Sequence, residues 1–403
     1  MKFDHERVDN APPAERMSFC LPHDFTDNGR PDVLIGALGA NRWVDIPVID
    51  ISVNLHRAPY VSSLTEQLEF NLFWYENPGW QRHDIARVPD LSVGGSLGDL
   101  TGDGRVDLVA GQNTMSELYW FEQPENPRDP WTRRLITDEF EKYHDTTVAD
   151  IDDDGELEVV FLSQRSAVVG CYDIPTNPRN EPWPEDHCHL IASELDVEGV
   201  AVADVDGDSQ TELIAGLNIF SRTADGWDRT QLAEGWGWTR LELADLDDDG
   251  ETEIIVSEGD VPYMTARPAR LGVFNPPDWD LTLLRDDLYN PHTVTTADFT
   301  GSGHPDIYVA EMGLDDYPTP THYILRNPAD GSFAFEPHVI EQDIPTHEAS
   351  VADLTGDGRP DIVGKGYADS HVDIWYNKID HSEESPPQAG DTSVEKVDAE
   401  PSQ

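Results

Sequence analysis

Apolar residues along the chain come in short runs of four to six, such as DLVAG, EVVFL, ELIAG, EIIVS, DIYVA and DIVGK, bounded by Gly, Pro and Asp. No stretch sustains the period of an amphipathic helix, so the pattern predicts strands and turns almost throughout. Each run follows an oxygen-rich stretch of nine residues that recurs seven times. The copies are DFTDNGRPD, DLTGDGRVD, DIDDDGELE, DVDGDSQTE, DLDDDGETE, DFTGSGHPD and DLTGDGRPD. They begin at Asp24, Asp99, Asp150, Asp204, Asp245, Asp298 and Asp353, separated by 75, 51, 54, 41, 53 and 55 positions. Self-similarity at roughly 40 to 55 residues is the sequence signature of a propeller blade.

A second pattern points the same way. Downstream of most loops an aromatic residue is followed five positions later by an aliphatic one: Trp80 and Ile85, Trp131 and Ile136, Trp227 and Leu232, Trp279 and Leu284, Phe335 and Ile340. These pairs predict outer strands. The third unit, around HCHLIAS, has no clear pair, and the seventh has none after WYNKID. Phe3 and Val8 carry the same spacing ahead of the first loop, so the N-terminal strand is expected to complete the last blade and remove the open sheet edges. The expectation is an all-β, seven-bladed β-propeller of four-stranded blades, one domain over residues 1–380 with an insertion at 39–66 in blade 1. The tail, 381–403, lacks aromatic, Ile and Leu residues and is expected to be disordered.

Charge narrows the partners. Eighty acidic against 26 basic side chains give a formal net charge of -54, which excludes nucleic acid and anionic lipid as ready partners. Such self-repulsion is tolerable when screened, and the Debye length falls to about 3 Å near 1 M salt; the composition is that of a halophilic, acidic protein. A core is nonetheless available, because 38% of residues are hydrophobic, with 11 Trp, 12 Tyr and 13 Phe. Three cysteines, Cys20, Cys171 and Cys188, form neither a disulfide framework nor a C-x-x-C site. The start, MKFDHERVDNAPPAERM, shows no basic region followed by an apolar one, and no apolar run approaches the roughly 18 residues of a membrane helix. A cytoplasmic monomer without membrane insertion is expected.

The loops carry metal chemistry. Side-chain oxygens arrive at positions 1, 3, 5 and 9, with Gly at 6 permitting a sharp turn, a donor set that suits Ca²⁺ first and Mg²⁺ second. The candidate ligands are Asp24, Thr26, Asn28 and Asp32; Asp99, Thr101, Asp103 and Asp107; Asp150, Asp152, Asp154 and Glu158; Asp204, Asp206, Asp208 and Glu212; Asp245, Asp247, Asp249 and Glu253; Asp298 and Asp306; and Asp353, Thr355, Asp357 and Asp361. The three central loops offer four carboxylates each and rank first. In the sixth, Ser302 replaces an acid.

These loops, the small residue before them and the strand after them resemble the FG-GAP or VCBS repeat, the calcium-loop blade of integrin-α-type propellers, here in a form like that of halophilic archaea. The resemblance runs from Phe3 to Asp380. Segments such as NLFWYENPGWQRHDIA and HEASVADLTGDGRPDIVGKG also resemble the propeller part of aldos-2-ulose dehydratases, a family that carries cupin-like domains for which no region is left. The resemblance implies several bound Ca²⁺ ions and a carbohydrate or protein ligand.

One further register is chemically loaded. The residue six places before each loop Asp is, in order, Ser18, Val93, His144, Glu198, Thr239, His292 and His347. Equivalent positions of innermost strands ring the propeller axis, so His144, Glu198, His292 and His347 are candidates for a Zn²⁺, Fe²⁺ or Mn²⁺ site or for acid–base chemistry on a sugar. Asp145, Arg240 and Glu348 lie next to them in sequence. Two readings remain open: a calcium-stabilised ligand-binding scaffold, or a sugar-active lyase or dehydratase centred on that ring.

Overall fold

The structure is a computed structural model. It describes residues 1–38, 70–224, 226–262, 267–314, 318–367 and 370–378, with the backbone of two further strands, Trp43–Ile46 and Ile51–Asn54. Those two strands pair with each other inside the expected insertion; the rest of 39–66 and the tail 381–403 lie outside the described residues.

The described strands form seven four-stranded antiparallel sheets. Their innermost strands are Met17–His23, Leu91–Gly98, Tyr143–Ala149, Val200–Ala203, Thr239–Ala244, Thr293–Ala297 and Glu348–Ala352, which touch in cyclic order, the last against the first. The seventh sheet takes its outer strand from the other end of the chain: Phe3–Asp9 pairs with Val372–Asn377. The expected closure is borne out. Beyond the backbone ladder, Asp373 on the last strand accepts hydrogen bonds from His5 (2.6 Å) and Arg7 (2.9 Å) on the first.

The second strand of every blade is buried along its length, which accounts for the unalternating apolar runs in the sequence: a strand covered on both faces has no solvent side to pattern. Rings from neighbouring blades fill the wedges between sheets, with Phe25 tilted against Trp74 of its own blade and edge-on to Trp131 of the next. Close blade contact also explains Gly98, where a Cβ would lie 2.5 Å from Val148 Cγ1.

The aromatic-aliphatic pairs locate outer strands correctly, and the third blade shows why one was missed. Its outer strand is Cys188–Ser193, preceded by a short 3-10 turn, Glu185–His187. The matching aromatic is Trp183, displaced upstream by that turn. Trp183 donates its indole N–H to the Pro178 carbonyl (3.0 Å), as Trp131 does to Pro127 (3.1 Å) in the blade before.

Candidate functional site

Each nine-residue loop closes the hairpin between the first and second strands, so all seven lie at one end of the ring. The residue before the loop pairs with the ninth residue of it: His23 with Asp32, Gly98 with Asp107, Ala149 with Glu158, Ala203 with Glu212, Ala244 with Glu253, Ala297 with Asp306, Ala352 with Asp361. The first Asp caps the turn. In blade 3, for example, Asp150 accepts from the N–H groups of Asp154 (3.2 Å) and Gly155 (2.9 Å), an Asx-type closure that the other loops share.

Past that common frame the loops divide into two kinds. In blades 3, 4 and 5 the third residue is Asp, the seventh is Glu or Gln and the ninth is Glu. In blades 1, 2, 6 and 7 the third is Thr, the seventh is Arg or His and the ninth is Asp. The ninth residue decides the geometry. Each Asp has both oxygens engaged by backbone: Asp361 accepts from Leu354 N–H (3.2 Å) and Asn377 N–H (2.8 Å), and Asp32, Asp107 and Asp306 repeat this pair of bonds. A Glu, one methylene longer, gives one oxygen to the loop N–H of Ile151 (3.0 Å), Val205 (3.1 Å) or Leu246 (2.6 Å) and brings its carboxylate toward the first and third Asp.

The result is three carboxylate triads, Asp150/Asp152/Glu158, Asp204/Asp206/Glu212 and Asp245/Asp247/Glu253, each with ligand atoms within 4.8 Å of one another. Among the described residues no other group of three His, Cys, Asp or Glu side chains does this. At that separation two ionised carboxylates repel by about 3 kcal/mol at an effective dielectric of about 20. Protons or a cation in the triad would relieve that repulsion. Burial, with smaller contributions from the neighbouring loop acids, pushes Glu158, Glu212 and Glu253 up to about 7. Buried Oδ1 atoms of Asp152 and Asp247 have no partner, the donor atoms a bound ion would engage; Thr101 likewise holds Oγ1 unpartnered. In blades 2 and 7 the seventh residue places a cation in the loop itself, Arg105 on Asp103 and Arg359 on Asp357.

At the opposite end the four axial candidates do not converge. Two pairs form instead. His144 Nε2 lies 3.1 Å from Glu198 Oε1, with His144 Nδ1 on Asp145 Oδ2 at 2.8 Å. His292 and His347 stack with ring centroids 4.0 Å apart, and His292 Nδ1 donates to the His347 carbonyl at 2.9 Å. Arg240 of blade 5 reaches across, binding Asp145 of blade 3 (3.1 Å) and approaching Glu348 of blade 7 (3.7 Å). Of these groups Asp145, Arg240, His292 and Glu348 line a cavity of about 180 Å³.

Among the described residues no three of His144, Glu198, His292 and His347 bring ligand atoms within 4.8 Å of one another as the expected Zn²⁺, Fe²⁺ or Mn²⁺ site would, and two basic side chains, Arg240 and Lys365, lie among them. Lys365, fully buried, spends its ammonium hydrogens on the carbonyls of Met17 and Ser18 and on His347 Nδ1 (2.6 Å), which leaves His347 neutral. Burial and the nearby Arg240 and Lys365 charges hold His292 and His347 well below the ordinary histidine range. His144 goes the other way. Burial would lower it, but Glu198 and Asp145 raise it. Asp145 is also buried, yet His144 and Arg240 hold it well below the usual carboxylate range.

Lys365 was missed because a lysine ending the buried run DIVGK reads as the strand's exit to solvent. The cleft beside Glu198 was missed too. It measures about 440 Å³ between blades 4 and 5 and is walled by Trp236 and Trp238. Its signal was GWGW, two indoles and two glycines immediately before an innermost strand.

A closed ring of seven blades, with acidic hairpin loops on one face and a polar axis, defines a repeat-built β-propeller. Residues 99–161 and 298–364 match the family model of the FG-GAP-like repeat, and the chain is a seven-bladed propeller carrying FG-GAP-like repeats. Both stretches begin at a loop Asp and run into the second strand of the following blade. A search of curated proteins gives no match.

Proposed function

We propose that this protein is a calcium-stabilised binding scaffold: Ca²⁺ occupies the loops of blades 3, 4 and 5, and a carbohydrate or protein ligand is held on the face away from them. The recurrence of one carboxylate triad in three successive blades carries this reading. Oxygen donors only, two Asp and one Glu with a fourth Asp at position 5, favour a hard divalent cation, and Ca²⁺ tolerates their irregular spacing better than Mg²⁺. The rest of the acidity suits a protein working at high salt. The test is an immobilised-glycan and protein-array screen of the full chain with calcium and after chelation. Binding that requires calcium-loaded, folded protein supports the scaffold; the absence of any ligand in both states counts against it.

A second reading has one arrangement in its favour, the series Asp145, His144, Glu198 at the axial end, in which Asp145 is hydrogen-bonded to His144 and His144 Nε2 lies 3.1 Å from Glu198 Oε1. An ionised Asp that orients a His beside a buried Glu can move a proton next to a sugar carbonyl, the step a lyase or dehydratase needs. Dehydration of a keto sugar that is lost in His144→Asn would favour it.

A further inference from the structure

The cleft between blades 4 and 5 is built from three connections at the end opposite the acidic loops. Leu195–Glu198 leads into blade 4, Gly216–Asn218 joins its second and third strands, and Ala233–Trp238 crosses to blade 5. The crossing is fixed in place. Glu258, fully buried, accepts Gly237 N–H (3.0 Å) and binds Arg270, whose guanidinium also donates to the Gly235 carbonyl (2.6 Å). Trp238 ends it with φ 26°, a left-handed conformation costly for an aromatic residue, held by this frame.

Glu198 sits at the inner end of the cleft, 3% exposed. Its two oxygens differ. Oε1 is saturated by Gln164 Nε2 (2.6 Å) and His144 Nε2 (3.1 Å), whereas buried Oε2 has no partner at all. A buried carboxylate oxygen left unsatisfied costs about 1–3 kcal/mol or more, which a donor entering the cleft would recover. The rim adds two exposed acids, Asp196 and Glu234. Arg229, the cation among the lining residues, is tied to Asn218 Oδ1 at 2.8 Å, and Arg267 and Arg270, which reach the Gly235 carbonyl, are paired with Glu258. Trp236 already receives a cation on its ring, the Arg270 guanidinium 4.2 Å from the centroid.

We propose that this cleft binds an organic ammonium group, with Glu198 as its buried acceptor, Asp196 and Glu234 at the mouth and Trp238 as the aromatic wall. Three carboxylates and an indole form the combination that holds a desolvated cation, through charge from one side and the ring quadrupole from the other. A chain with net charge -54 also repels anionic ligands and enriches cationic ones near its surface. The inference rests on the reading of this face as the ligand-binding one and narrows its ligand to an amine-bearing one; the ammonium could be that of an amino sugar or of a lysine side chain.

The test is calorimetric titration of the calcium-loaded full chain with glucosamine, with Nα-acetyl-lysine methylamide and with glucose. Saturable binding of either amine, at least tenfold tighter than glucose and weakened by added salt, is expected, and the tighter amine names the source. Glu198→Gln should weaken it at least tenfold. Should that variant melt early, the rim double variant Asp196→Asn/Glu234→Gln, both exposed, should weaken it about threefold or more. No amine binding, glucose binding as tight as the amines, or unchanged affinity in the folded variants would overturn the proposal. Calcium loading measured on the same sample reports on the scaffold separately, and tight binding of a neutral glycan would keep the scaffold reading while sinking this one.

Discussion

Blades 3, 4 and 5 and blades 1, 2, 6 and 7 share one backbone solution for the loop and reach electrostatic balance in opposite ways. In the first group a Glu at the ninth position extends into the loop and completes a carboxylate triad, which in blade 3 also meets Arg222 of blade 4 on Asp152. In the second an Asp stops one methylene short, where strand and loop N–H groups claim both its oxygens, and in blades 2 and 7 an Arg at the seventh position supplies positive charge from within. A repeat can thus keep its turn while changing what the turn is for. Length of one side chain, more than the number of acids, separates a loop with a carboxylate triad from a hydrogen-bonded one.

The largest expected effect comes from emptying the first group. Three sites each held at about 100-fold over Kd contribute about 8 kcal/mol together, from about 2.7 kcal/mol per site. Chelation at low salt should therefore lower Tm by about 10 °C or more, followed by circular dichroism, with recovery on adding Ca²⁺. A calcium-insensitive Tm would break the comparison at its root.

Paired substitutions sharpen it. Glu253→Gln should remove one bound calcium and its share of stability, about 2–3 kcal/mol. Asp361→Asn should leave the calcium count unchanged and still cost about 1–3 kcal/mol, because the amide turns an N–H toward a backbone N–H that had an acceptor. Ion counting and denaturant titration on the two variants separate these outcomes.

A pH dependence follows from burial of the ninth acids. Asp107, Glu158, Glu212 and Glu253 are pushed up to about 7, and Asp32 and Asp361 to about 6. With folded values above the unfolded ones near 4, these six groups bind more protons in the metal-free folded state than in the unfolded chain, so the stability they contribute is fully present below about pH 4 and is lost as pH rises to about 7. Calcium should flatten or reverse that slope, because it takes the place of the protons in three of the loops. Melting curves at pH 4.5 and 7.5, with and without calcium, read the difference.

The smallest effect is a conversion within the loop. Glu156→Arg gives blade 3 the internal cation of the other group and should weaken calcium there about tenfold, read by titration, with little change in the metal-free Tm.

The fold was readable because both of its signals are local and repeated: the loop that closes each inner hairpin and the aromatic that opens each outer strand. Where one extra turn intervened, before Cys188–Ser193, the spacing failed although the packing did not. The central loops stood apart in the sequence by their four carboxylates, and the triads fall in the same three; that a Glu at the ninth position completes each triad came from the structure. The axial site was readable only in register. That His144, Glu198, His292 and His347 share a level follows from the repeat. That they part into two pairs depends on Arg240 and Lys365, whose long side chains reach the axis from positions no loop motif marks. The Glu198 cleft depends on loops of three different lengths meeting, which no single stretch encodes.

Calcium stoichiometry of the purified, metal-exchanged protein tests the central claim most directly. Equilibrium dialysis against labelled calcium at low micromolar free concentration should give three ions per chain, falling to two in Glu158→Gln, Glu212→Gln or Glu253→Gln and staying at three in Asp107→Asn. Seven ions, or three that survive all three glutamate substitutions together, would contradict the division of the loops into two kinds.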